Sequence, residues 1–104
     1  MIVVTSSSFA GKKIVKTLGL VKGNTIRARH LGKDIIAGLK NLVGGEIEEY
    51  TKLMAEAREQ AIDRMKVVAE QMGANAIIDV RFSTSYIMGM ASEILVYGTA
   101  VLVE

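Results

Sequence analysis

The longest regular pattern of apolar and polar positions runs from Glu46 to Met72. Ile47, Tyr50, Met54, Ala57, Ala61, Met65, Val68 and Met72 recur at steps of three and four. That spacing stacks them on one face and predicts a long helix, about 40 Å at 1.5 Å per residue. Glu46, Glu48 and Glu49 load its first turn with negative charge, which the helix dipole favours, and Gly73 is placed to cap its end. A shorter helix is predicted over Lys33 to Leu42. There Leu31, Ile35, Leu39 and Leu42 share a face, and Gly44 follows as a stop.

The remaining segments read as strands. Ile2 to Thr5 is a short one, with a turn at Phe9-Ala10-Gly11. Ile14 to Val21 and Thr25 to Leu31 flank Lys22-Gly23-Asn24, a turn-like triplet, and together predict a hairpin. A three-residue loop sets Leu20 opposite Ile26 and Leu18 opposite Ala28. Val21, Gly19 and Thr17 then face Thr25, Arg27 and Arg29, giving one apolar face and one polar, basic face. In Ala76 to Phe82, alternation sends Ile78, Val80 and Phe82 one way and Ile77, Asp79 and Arg81 the other. Ile94 to Val103 is apolar on both faces. Such a strand belongs in the interior of a sheet or at a subunit contact, because at a bare edge it would template aggregation.

Composition adds a size argument. The 104 residues suit a single domain spanning 1–104. Counting glycine and leaving out tyrosine, 59 of the 104 residues are apolar, about 57%, where a typical soluble domain has roughly 45–50% on the same count. A small domain cannot hide that much apolar surface alone, so oligomer interfaces are expected. The charge is split. Residues 1 to 33 carry seven basic groups (Lys12, Lys13, Lys16, Lys22, Arg27, Arg29 and Lys33) and no acid, while residues 46 to 104 carry ten acids against five bases. Two solvated faces would account for this, and so would the basic half of one subunit meeting the acidic half of the next. Nucleic acid fits poorly, because the basic segment has few aromatics for base stacking and the acidic helix repels phosphate. The start of the chain lacks the basic and long apolar regions of a signal peptide. The longest uncharged apolar run, Ile94 to Val103, is too short to span a bilayer. With no cysteine, these features predict a cytoplasmic protein that does not engage membranes.

Four stretches in this order resemble the YbjQ family. They are Arg27 to Leu53 (RARHLGKDIIAGLKNLVGGEIEEYTKL), Ala57 to Met65 (AREQAIDRM), Gly73 to Phe82 (GANAIIDVRF) and Glu93 to Glu104 (EILVYGTAVLVE). Members are small bacterial and archaeal proteins, uncharacterised or carrying a heavy-metal-binding label. The resemblance implies an α+β fold of two layers, similar to the dodecin subunit. An antiparallel sheet packs with one long and one short helix, and the subunits form homopentameric rings. A homopentamer is therefore the expected state of this chain, in agreement with its apolar excess and split charge.

The candidate chemistry is sparse. Soft metals want thiolate, thioether or imidazole, and the chain offers no cysteine and one histidine, His30. The favoured reading of His30 is a partly buried residue near a strand end. A ligand role would need several copies gathered around a ring axis, with carboxylates such as Glu46 assisting, and that is the alternative reading of function. Met88-Gly89-Met90 could offer thioethers to copper(I), but packing is favoured. No hydrolytic triad is visible among the hydroxyls Ser6, Ser7, Ser8, Ser83, Thr84 and Ser85. Gly44-Gly45 lacks the Gly-Lys-Ser/Thr ending of a phosphate loop, and Asp79 and Arg81 are expected to pair. The chain is expected to be no enzyme and to need no cofactor. One constellation can bind a ligand: Arg27, Arg29 and Arg81 with Ser83 and Ser85 would donate to a carboxylate or phosphate if they converge. The competing reading of those arginines is salt bridging to the acidic helix of a neighbouring subunit.

Overall fold

The computed structural model describes residues 1–28, 45–87 and 91–104, with side chains at 1–26, 52–85 and 93–104. Its elements are β1 (Ile2–Val3), β2 (Ile14–Ala28), α1 (Gly45–Gln71), β3 (Ala76–Ile87) and β4 (Ala91–Val103). The fold is α+β: among the described residues one helix packs on a four-stranded sheet of order β1-β3-β4-β2. The central long strand β4 pairs antiparallel with both β3 and β2, as expected. β1 adds to β3 in parallel, which makes the sheet mixed. The short helix expected over 33–42 lies outside the described residues.

The doubly apolar strand β4 lies inside the sheet, between β3 and β2. Its Ile94, Val96, Gly98 and Ala100 are buried on the helix side. Facing them from α1 are Ala57, Ala61, Met65 and Ala69, all fully buried, with Met54 and Ile62 at the margin. The apolar seam therefore holds from Met54 to Met65 and then runs through Ala69. Val68 and Met72, the expected continuation, are 39% and 38% exposed. At its end α1 closes as a Schellman motif. The Gly73 amide donates to Glu70 and the Ala74 amide to Ala69, both at 3.0 Å, with Gly73 at φ 88°.

The expected hairpin does not form. Ile14 to Ala28 is one continuous strand paired with β4 throughout, with bulges only near its start. Gly23 sits in mid-strand and is buried. It is where α1 crosses β2 so closely that a Cβ would lie 2.1 Å from the Ala61 carbonyl oxygen and 2.5 Å from the Met65 nitrogen. Close backbone approach demands glycine as strongly as a turn does. The faces of β2 are consequently reversed from the expectation. Val21, Gly23 and Thr25 turn to the helix, and the buried Thr25 hydroxyl donates to the Ala57 carbonyl at 3.0 Å. Leu20 and Ile26 are instead 69% and 56% exposed on the other side of the sheet.

One end of that other side has its own cover. Ala76, Ile78, Val101 and Val103 form a second buried cluster beneath Val4, Phe9 and Ile14 from the N-terminal segment. This explains why Ile77 and Ile78 are both buried, one on each face. The lock at this end is Asn75. Its amide nitrogen donates to the Val103 carbonyl at 2.9 Å, and its amide oxygen accepts from the Val103 N–H at 2.8 Å, so the side chain imitates a paired strand residue. Asn75→Ala removes both bonds from a part-buried backbone and is expected to destabilise the fold by about 2 kcal/mol. Urea denaturation followed by circular dichroism measures this.

A candidate functional site on the open sheet face

A bulge in β3 creates the site. Between Ile78 and Arg81 two residues, Asp79 and Val80, lie opposite the single residue Gly98 of β4. Asp79 takes a left-handed conformation, φ 54°, uncommon for a residue with a side chain but tolerated best by Asp and Asn. The bulge shifts the alternation, so Ile77, Val80 and Phe82 share the helix side. Arg81, Ser83 and Ser85 go to the side away from the helix, in register with Tyr97, Leu95 and Glu93. Thr84 separates from the two serines and lies in register with Ile94 on the helix side.

The expected pairing of Asp79 with Arg81 is replaced by separate partners. The Ser7 hydroxyl donates to Asp79 Oδ1 at 2.7 Å, and the Asp79 amide donates to the Ser6 carbonyl. Arg81 Nη1 donates to the carbonyls of Thr5 and Val80 at 3.0 and 2.9 Å. The bulge sends the two side chains in different directions, and the N-terminal segment supplies each with a neutral partner. The remaining guanidinium N–H groups of Arg81 have no partner among the described residues.

Register across three strands assembles an exposed polar surface. Arg81, Tyr97 and Lys22 form one row, Ser83, Leu95 and Asn24 the next, and Ser85, Glu93 and Ile26 a third. Neighbouring strands stand about 4.8 Å apart and successive rows about 7 Å. Asn24 Nδ2 donates to Glu93 Oε2 at 3.2 Å across two rows. Arg64 Nη1 donates to the Asn24 carbonyl and so ties this stretch of β2 to the helix. Two cations flanking a tyrosine, with serine hydroxyls one row away, can bind a small carboxylate or phosphate.

Of the expected ligand-binding residues, Arg81, Ser83 and Ser85 share this face. Only the backbone of Arg27 is described, paired with Ser92, and Arg29 lies outside the described residues. Lys22, Asn24 and Tyr97 join the site unforeseen. Reading Lys22-Gly23-Asn24 as a turn hid two of them, and the signal that could have corrected it was the unbroken β-rich run from Ile14 to Ala28.

A soft-metal site does not fit these residues. The chain has no cysteine, and no three His, Asp or Glu side chains gather among the described residues. Met65 is in the core and Met54 packs at its margin. His30 and Met88-Gly89-Met90 lie outside the described residues.

No helix among the described residues is long and apolar enough to cross a membrane. All 104 residues match a family model of the YbjQ type, described as "putative heavy-metal-binding". A UPF0145 protein of Dehalococcoides mccartyi is 64% identical over the full length of both chains. One from Methanosarcina acetivorans is 58% identical over 97% of this chain and 95% of its own. One from Pyrococcus horikoshii is 52% identical over all of this chain and 89% of its own. A crystal structure from Pediococcus pentosaceus, of a DUF74-family protein with unknown function, superposes with a TM-score of 0.66. It covers 100% of this chain and 98% of its own at 18% identity, which speaks to the fold alone. On the full-length family match and the identity of these relatives, the chain belongs to the YbjQ (UPF0145) family.

Proposed function

We propose that this chain is a non-catalytic, ring-forming protein, a homopentamer, that binds a small anionic ligand on the open sheet face near its subunit interfaces. The observation that carries the reading is the amount and kind of surface one copy leaves uncovered. The copy exposes 6879 Å², against roughly 5,700 Å² for a folded monomer of its mass. It also measures 55 × 24 × 17 Å, long and thin for 104 residues. Large apolar side chains stand in that surface on both sides of the sheet: Leu20, Ile26 and Tyr97 on one, Phe82 and Val67 on the other. The excess of about 1,200 Å² exceeds the roughly 800 Å² per partner of a standard interface. Among these apolar groups stand Arg81 and Lys22, with cationic N–H groups free of partners among the described residues.

Native mass spectrometry of untagged protein, prepared without chelators, tests both halves. A pentamer carrying a stoichiometric anionic mass is expected. Lys22→Ala is expected to remove that mass and leave the assembly intact, because Lys22 holds no other described group in place. A monomer at micromolar concentration would sink the assembly half. A bound metal ion in place of the anion would overturn the ligand half and return attention to His30.

A further inference from the structure

Among the described residues the sheet ends in two unpaired edges. β2 is an edge strand over all of Ile14–Ala28, far longer than the five or six residues usual for a strand. From Leu20 to Ala28 its register with β4 is free of bulges. On the opposite side the N-terminal segment covers β3 only as far as Val80, whose amide donates to the Val4 carbonyl at 3.1 Å. From Arg81 to Ile87 the outer edge of β3 has no partner strand among the described residues. Proteins usually blunt such edges with proline, bulges or brevity. This chain has no proline, and neither stretch is short or bulged.

Resting on the reading that the chain self-assembles, we propose that copies join by strand addition between unlike edges. The Leu20–Ala28 stretch of one β2 takes the Arg81–Ile87 stretch of the next copy's β3. Three observations select unlike edges over like ones. The first is charge. From residue 12 to residue 28 the chain carries Lys12, Lys13, Lys16, Lys22 and Arg27 and no acid. Laying β2 against a second β2 would oppose these cations, whereas the free stretch of β3 carries one base among hydroxyls and apolar residues. The second is Phe82. It lies on the helix side yet is 48% exposed, because α1 packs chiefly over β2 and β4. Strand addition at β2 carries the neighbour's Phe82 to the outer flank of α1. A joint between two β2 strands leaves it bare in both copies. The third is direction. β2 and β3 run parallel within one copy, both being antiparallel to β4. A rotation that repeats this sense keeps every helix on one face of a continuous sheet and can close into a ring.

The joint also completes the candidate site. Within one copy Lys22 and Arg81 stand two strands apart, about 10 Å. Across the joint, the Arg81, Ser83, Ser85 row of one copy lies beside the Leu20, Lys22, Asn24 row of the next, one strand spacing away. An anion there is held by both copies, at a joint that the paired backbones already hold without it.

The absence of cysteine allows a direct test. Each of Leu20→Cys, Lys22→Cys and Asn24→Cys is combined with Ser83→Cys or Ser85→Cys, and each single variant is made as well. Two strand spacings within one copy exceed the roughly 7 Å limit for Cα atoms joined by a disulfide, so a double variant can link only between copies. On mild oxidation at least one double variant is expected to give a ladder of covalent oligomers beyond the dimer, and the single variants none. Disulfide dimers from single variants alone would mean that like edges meet, and would overturn the proposal. So would a full set of double variants that assemble by native mass spectrometry yet fail to link. A monomer in that same measurement would remove the self-assembly reading itself, which separates the two failures.

Discussion

Gly23→Ala is expected to lower the stability of the fold by about 3 kcal/mol or more, among the larger effects open to a single methyl group. The reason is where the methyl would go. At 2.1 Å from the Ala61 carbonyl oxygen, 2.5 Å from the Met65 nitrogen and 3.1 Å from Arg64 Cβ, it meets helix backbone. A flexible side chain could swing aside, but backbone within a 27-residue helix moves only if the helix lifts. Lifting it opens gaps around Met65, Val21 and Val96, which are fully buried, and also breaks the Thr25 bond to Ala57. For a domain of about this size each kcal/mol shifts the melting midpoint by roughly 4–8 °C, so a fall of 12 °C or more is expected in a thermal scan. Lys22→Ala, one residue away and exposed, is the control and should stay within about 0.5 kcal/mol. Near-parental stability for Gly23→Ala would mean that α1 does not cross β2 there.

The same glycine shows why sequence reasoning went astray in β2 and succeeded in α1. A helix announces itself through many residues: the seam from Met54 to Met65 and the cap at Gly73 each repeat the message, and misreading one of them changes little. The extent of a strand can hang on a single residue. Lys22-Gly23-Asn24 has the chemistry of a turn, and what makes Gly23 a mid-strand residue is a helix segment nearly forty positions later in the chain. Asp79 is a comparable case. Alternation is a local rule, and the bulge that breaks it depends on Gly98 across the sheet and on the Ser6 and Ser7 contacts from the chain start. The candidate site inherited both difficulties. Arg81 and the serines Ser83 and Ser85 were legible as donors close together in the chain, but the expected strand stopped at Phe82, and it is the extension of β3 to Ile87 that sets all three on one face. Their neighbours Lys22 and Tyr97 came into view only with the register.

Gly98→Ala carries the second large expectation, because it strikes the bulge and the site together. The added Cβ would lie 2.8 Å from Ile77 Cγ2, 2.9 Å from the Ile78 carbonyl oxygen and 3.1 Å from Val80 Cγ2. Two of these atoms belong to side chains that are themselves buried, Ile77 at 0% and Val80 at 4% exposure, so yielding means repacking the core. The third is backbone at the start of the bulge. A loss of about 2–3 kcal/mol is expected from overpacking, measured by urea denaturation. A second readout distinguishes the bulge from the core. If β3 relieves the clash by shifting past β4, Arg81 moves from its Thr5 and Val80 carbonyl partners, and Ser83 and Ser85 leave their rows beside Leu95 and Glu93. A one-residue slip sends each of these side chains to the opposite face. Gly98→Ala protein that remains folded is therefore expected to lose anion binding as well as stability, whereas a core change such as Met65→Ala, which leaves the register alone, should lose stability and keep the anion. Equal anion retention in the two variants would detach the bulge from the site and leave Gly98 a packing residue.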